Sequence, residues 1–318
     1  MKYFPRLAVL AAVPMVLVAC GGDDEASDDA GAGGETPAAD EASFPVTVGE
    51  GETAVEIPAE PDRIVSLSPT ATEMLFAIDA GDAVVAADEY SDYPEDAPTT
   101  DLSGFEPNVE AIVGYDPDLV VASADPGDLV AGLSELEVPT LILPPARSLE
   151  DTYAQIEQLG VATGNVGPAA ELVAGMRSDI EEITAEVPDD AEEATYFHEL
   201  DANLYTVTGS TFVGELYTLA GMTNIADDAP GSGGDYPQLS PEFIVSADPD
   251  MIFFADGAEG GVTVQDIASR PGWDALTAVQ QDRVFEVDSD IASRWGPRVV
   301  DYVRFLVDQR VALLEPVG

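Results

Sequence analysis

The sequence predicts an α/β protein of two similar lobes joined by one long helix. Three observations predict it. β-rich and helical runs alternate along the chain, the alternation restarts after residue 188, and both halves carry a copy of one local sequence. In the first half, 63–67 (RIVSL), 83–87, 119–122 and 140–143 are short, mostly continuous apolar runs, as expected of strands covered on both faces. Ser68-Pro69-Thr70 opens a helix through Ile78, with Gly81 as its stop. Helices also fit 109–114 and 149–163. Segment 167–187 sets Leu172, Val173, Met176, Ile180 and Ile183 at helical spacing, with Pro168 in its first turn and Pro188 at its end. A helix of that length is roughly 30 Å long and forms a rigid strut between the halves. Beyond it, 195–200, 251–254 and 284–287 read as strands. Residues 212–219 read as a helix ended by Gly221, and 297–314 as a closing amphipathic helix.

The repeat is VEAIVGYDPDLVV from Val109 and PEFIVSADPDMIF from Pro241. Without gaps, Glu110 falls on Glu242, Ile112-Val113 on Ile244-Val245, and Asp116-Pro117-Asp118 on Asp248-Pro249-Asp250. Each copy predicts a short helix, a turn where proline forbids helix continuation, and a buried strand. Such a repeat points to two lobes related by pseudo-symmetry.

The first segment places Lys2 and Arg6 before an apolar run, 7–19, that is too short to span a bilayer. That is the pattern of a signal peptide, 1–19. Its end, Leu17-Val18-Ala19-Cys20-Gly21, resembles the bacterial lipobox, which implies lipidation of Cys20 after cleavage. Cys20 is the single cysteine, so no internal disulfide forms. Two or more acyl chains hold a protein stably on a membrane. Residues 22–43 lack aromatic residues and cannot bury enough apolar surface to offset chain entropy. We read 20–45 as an acidic tether, 46–164 as the first lobe, 165–188 as the bridging helix and 189–318 as the second lobe.

Eleven basic residues face 62 acidic ones, a net charge of −51. Lys2 is the only lysine. This balance argues against nucleic acid and anionic head groups as partners. Solubility in a salty medium is the plain account of it.

Five segments carry a resemblance to a known family. They are RIVSLSPTATEMLFAIDAG from Arg63, YSDYP from Tyr90, PNVEAIVGYDPDLVVA from Pro107, LSPEFIVSADPDMIFFA from Leu239 and PGWDALTAVQQDRVFEVDSD from Pro271. With the long middle helix they resemble the periplasmic binding proteins of the iron-siderophore and cobalamin uptake group. The resemblance implies two α/β lobes bridged by one rigid helix, with ligand held in the cleft between them. It implies a monomeric, lipid-anchored protein on the extracytoplasmic face of the cell membrane, working with an ABC importer's permease dimer and ATPase subunits. It further implies one permease-docking glutamate per lobe, here Glu110 and Glu242. Each of them also falls in the first turn of its predicted helix, where negative charge is favourable.

Tyr90, Tyr93, Phe105, Tyr205 and Tyr236 lie on predicted loops, where aromatic faces suit a large, flat, partly apolar ligand. By resemblance to the cobalamin binders, Tyr90 and Tyr236 match corrin contacts, while the tryptophan those binders carry falls near Gly104-Phe105 here. Arg294 and Trp295, in SRWGPR before the last helix, are further ligand candidates, with Arg298 beside them. Arginine binds carboxylate or amide oxygens, or pairs with local acids. We read His198, the single histidine, as a half-buried strand residue rather than a ligand to cobalt or haem iron. One histidine and one acylated cysteine do not make a zinc site. No Gly-x-Ser-x-Gly elbow is present, and Gly231-Ser232-Gly233-Gly234 lacks the lysine of a phosphate-binding loop. The expected function is therefore capture of a ligand for ABC import, with no catalysis and no resident cofactor. A corrinoid such as cobalamin is the favoured ligand, because YSDYP, the aromatic positions and the scarcity of arginine favour a large, weakly charged ligand over a multiply anionic catecholate complex. A ferric hydroxamate siderophore or haem is the alternative, and a surface-anchored hydrolase a remote one.

Overall fold

Two parallel sheets carry the molecule, and their central strands are mostly apolar and buried on both faces. A computed structural model describes residues 43–49, 51–230 and 233–314. The signal peptide, Cys20 and nearly all of the tether lie outside the described residues. The described chain begins with an antiparallel pair, β1 (Val46–Val48) and β2 (Val55–Ile57). The first lobe follows as β3 (Ile64–Leu67), α1 (Pro69–Ala77), β4 (Val84–Asp88), β5 (Thr99–Leu102), α2 (Val109–Val113), β6 (Leu119–Ala122), α3 (Leu129–Ser134), β7 (Thr140–Ile142) and α4 (Leu149–Thr163). Its sheet runs β5-β4-β3-β6-β7. Next comes α5 (Val166–Thr184). The second lobe holds β8 (Ala194–Glu199), α6 (Phe212–Leu219), β9 (Met222–Asn224), α7 (Pro241–Ala247), β10 (Met251–Phe254), α8 (Gly257–Gly260), α9 (Val264–Ala268), α10 (Thr277–Gln280) and β11 (Val284–Glu286). Its sheet runs β11-β10-β8-β9. The short α11 (Ser289–Ser293) and α12 (Val299–Leu314) close the chain. Among the described residues no helix is long and apolar enough to cross a membrane.

The expected strut is α5, roughly 28 Å long at 1.5 Å per residue. Its buried stripe is Ala169, Val173, Met176, Ile180 and Ile183, spaced alternately by four and three. The expected last turn is not α-helical. Glu186 and Val187 donate to Ile183 and Thr184, three residues back, which tightens the end before Pro188. The helix is not a free-standing rod. It packs along α4 on one side and α12 on the other. One apolar cluster runs from Leu75 of the first lobe through Met176 to Tyr217 and Leu306 of the second. Bending between the lobes would have to break that shared core.

The repeat is structural in both lobes. Asn108 and Ser240 cap α2 and α7 by accepting from the amides of Ala111 and Phe243. Asp116 and Asp248 both take the left-handed conformation, with φ of 53° and 45°. Asp248 thereby ends α7 without glycine, while Asp116 turns the chain two residues beyond Gly114, the C-cap of α2; aspartate tolerates this conformation better than most residues. The last aspartate of each turn then fixes the neighbouring strand. Asp118 accepts from the amides of Asp62 and Arg63 at the start of β3. Asp250 accepts from the amide and hydroxyl of Thr195 in β8.

Candidate ligand cleft

In each sheet the chain places strands on one side of its first strand and then crosses to the other. In the first lobe it lays down β4 and β5, then β6 on the far side of β3. In the second it lays down β9, then β10 on the far side of β8. In open α/β sheets ligands bind beyond the strand C-termini at such a crossing. A cavity of about 590 Å³ lies there. Leu200 follows β8 and Ala255-Asp256 follow β10. From the first lobe, Pro145 and Ala146, which follow β7, complete the wall.

Of the expected ligand residues, Tyr236 and Trp295 line this cavity. Tyr236 is 60 % exposed. Trp295 is held by its indole N–H, which donates to Gln155 Oε1 at 2.8 Å. Tyr90 (51 % exposed) and Phe105 (77 % exposed) do not line it. They follow β4 and β5, at the same C-terminal end of the sheet as Pro145, and meet edge to face at 6.0 Å. Gly104 precedes Phe105 because an added Cβ would collide with the Leu67 carbonyl oxygen. Tyr205 is exposed in an isolated antiparallel bridge to Gln238 and does not line the cavity.

Arg294 corrects the sequence expectation. Its guanidinium is already engaged. Nη1 donates to Glu73 Oε1 (3.2 Å) and Asp92 Oδ1 (2.9 Å). Nη2 donates to the Tyr90 carbonyl (3.1 Å) and pairs with Asp290 Oδ1 (2.8 Å). Arg298 Nε donates to Glu73 Oε2 at 3.0 Å, and its guanidinium lies 4.2 Å over the Tyr93 ring. YSDYP and SRWGPR, both read as ligand loops, thus recognise each other. They tie the first lobe to the segment before α12. Sequence reasoning missed the hub, Glu73, a buried carboxylate on α1. A lone acid inside PTATEMLFA, in a chain with ten arginines, was the available signal.

His198 is 1 % exposed and lines the cavity. Its Nδ1 meets the Tyr217 hydroxyl at 2.8 Å, which meets the Tyr302 hydroxyl at 2.9 Å. Nε2 has no partner among the described residues. Burial holds the imidazole neutral by pushing its pKa down to about 4. An unfolded chain binds this proton from about pH 6.5, so between pH 6.5 and 4 it holds more protons than the folded one. Stability is therefore full above pH 6.5 and is lost as pH falls towards 4. From about pH 7.5 to about pH 4.5 the wild type should lose about 2–3 kcal/mol more than His198→Gln in urea denaturation. Equal losses would mean that the ring is protonated in the folded protein. Among the described residues no group of three His, Cys, Asp or Glu side chains is placed to hold a metal ion.

Glu110 and Glu242 are exposed at the second position of α2 and α7. A second hollow, of about 680 Å³, lies beside Glu242 between Leu204, Val245 and Trp273.

Comparison with known proteins agrees with this architecture. The periplasmic binding protein family pattern matches residues 64–291. The uncharacterized ABC transporter substrate-binding lipoprotein YvrC of Bacillus subtilis is 33 % identical over 275 residues, 83 % of this chain and 85 % of that one. A cobalamin-binding protein of Halobacterium salinarum is 33 % identical over 269 residues, 81 % of this chain and 72 % of that one. The solved periplasmic vitamin B12 binding protein of Vibrio cholerae superposes with a TM-score of 0.66 at 26 % identity, covering 81 % of this chain and 100 % of that one. Such proteins are transport components and not enzymes. The chain belongs to the periplasmic binding protein family, as the substrate-binding protein of an ABC importer.

Proposed function

We propose that the cargo is a corrinoid such as cobalamin, captured in the cleft and passed to the permease. The observation that carries this reading is the cavity at the strand C-termini. Tyr236 and Trp295 offer aromatic surface there, and the adjoining arginine is already neutralised by carboxylates. Such a wall suits a large, weakly charged ligand better than a multiply anionic one. The Halobacterium relative named for cobalamin supports the choice. In this reading Tyr90 and Phe105 form the outer rim of the first lobe, and Glu110 and Glu242 dock on the permease. Cys20 carries the lipid, and the tether lets the two lobes reach the importer as a monomer. The corrinoid is cargo, with no resident cofactor. A ferric hydroxamate siderophore or haem is the second reading, favoured by the unpartnered Nε2 of His198 beside the cavity. Titration of tryptophan fluorescence with cobalamin, haem and a ferric hydroxamate tests the choice. Cobalamin is expected to bind with Kd of about 1 μM or tighter, near −8 kcal/mol. Tight binding of a ferric complex alone would replace the ligand and leave the transport role standing.

A further inference from the structure

Asp256 follows β10 and stands on the cleft wall, and among the described residues only its own amide gives its carboxyl a hydrogen bond. Its Oδ1 is enclosed and without a partner. It occupies the N-cap position of α8, where an aspartate ordinarily bonds a helix amide, but it caps nothing. The arginine whose charge reaches it, Arg270, is bound through both terminal nitrogens to Glu199, at 2.5 and 2.6 Å. Arg147, near Tyr236 in the chain fold, is paired with Asp235 at 2.9 Å. Burial accordingly pushes the Asp256 carboxyl up from its ordinary pKa. An enclosed carboxylate oxygen that lacks a donor carries an uncompensated desolvation cost. Its terminal torsion is broad, so either oxygen can turn towards a donor. His198, the other titratable group deep in this wall, stays neutral.

We propose that Asp256 is a recognition residue that accepts a hydrogen bond from an N–H of the bound molecule and selects amide-bearing ligands over carboxylate-bearing ones. This rests on the cleft being the corrinoid site. An amide periphery offers the missing donor. A carboxylate periphery brings like charge against Asp256, and no lysine or arginine is among the described residues that line this wall.

The test uses the full chain and two corrinoids, cobinamide with amide side chains and cobyrinic acid with carboxylates in their place. Wild type is expected to bind cobinamide at least about 100-fold more tightly. In Asp256→Asn, cobinamide should weaken by about 10-fold, the effect of losing a charge-assisted hydrogen bond. Cobyrinic acid should bind more tightly than before, so that the preference collapses. Ligand-free Asp256→Asn should melt at or above the wild-type temperature, because a strained charge has been removed, and this separates lost recognition from misfolding. An unchanged preference in the variant overturns the role of Asp256 and leaves the corrinoid reading intact. Failure of wild type to bind either corrinoid overturns that reading and this inference with it.

Discussion

The double variant Glu110→Ala, Glu242→Ala is expected to lose nearly all stimulation of the importer's ATPase while binding ligand as tightly as wild type. Both glutamates are exposed, and each stands one residue into a capped helix at the same point of its lobe. Matched turns and strand ties hold those two helices in equivalent settings. Charge pairs across an interface fix register, and close ones are each worth about 1.5 kcal/mol or more. Losing two weakens docking by about 100-fold or more, since 1.4 kcal/mol is tenfold. Neither residue lines the cleft cavity, so affinity for cargo should not move. Single variants should each lose about tenfold. The check is ATPase rate against binding-protein concentration, with the importer in liposomes. Full stimulation by the double variant would remove the docking role.

Glu73→Ala should destabilise the folded protein by about 3–5 kcal/mol, because removing one partner leaves buried charge uncompensated. Glu73 joins Arg294 and Arg298, whose side chains are themselves mostly buried. Those contacts lie more than 200 residues apart in sequence and hold α1 to SRWGPR. Urea denaturation of wild type and variant measures the loss directly. Glu73→Gln, which keeps size and one acceptor, should lose less than Glu73→Ala. A loss below about 1 kcal/mol would mean that the arginines reach water and that the node is not a buried ion pair.

The legible parts of this fold were those whose burial shows in sequence. Central strands β3, β6, β8 and β10 are mostly or wholly buried and read as apolar runs. Edge strands β5 (TTDL) and β9 (MTN) lie on the sheet margins and carry polar residues, so no run marked them. The β1–β2 pair was missed because VTV and VEI each place an exposed polar residue at the middle position, so no apolar run marks them. The Asp-Pro-Asp repeat was legible because its geometry is local. The arginine node was not, because its partners meet only in the folded chain. Asp256 was hidden by abundance, one acid among 62. What distinguishes it is a missing partner, which sequence does not record.

The central claim is that cargo sits between the lobes, against Trp295. The chain has two tryptophans, and each lines a different cavity: Trp295 the cleft, Trp273 the hollow beside Glu242. Cobalamin quenching should therefore be measured in wild type, Trp295→Phe and Trp273→Phe. We expect Trp295→Phe to lose the larger share of the quench, and Trp273→Phe to keep it. The reverse pattern would put the ligand outside the cleft and contradict the account.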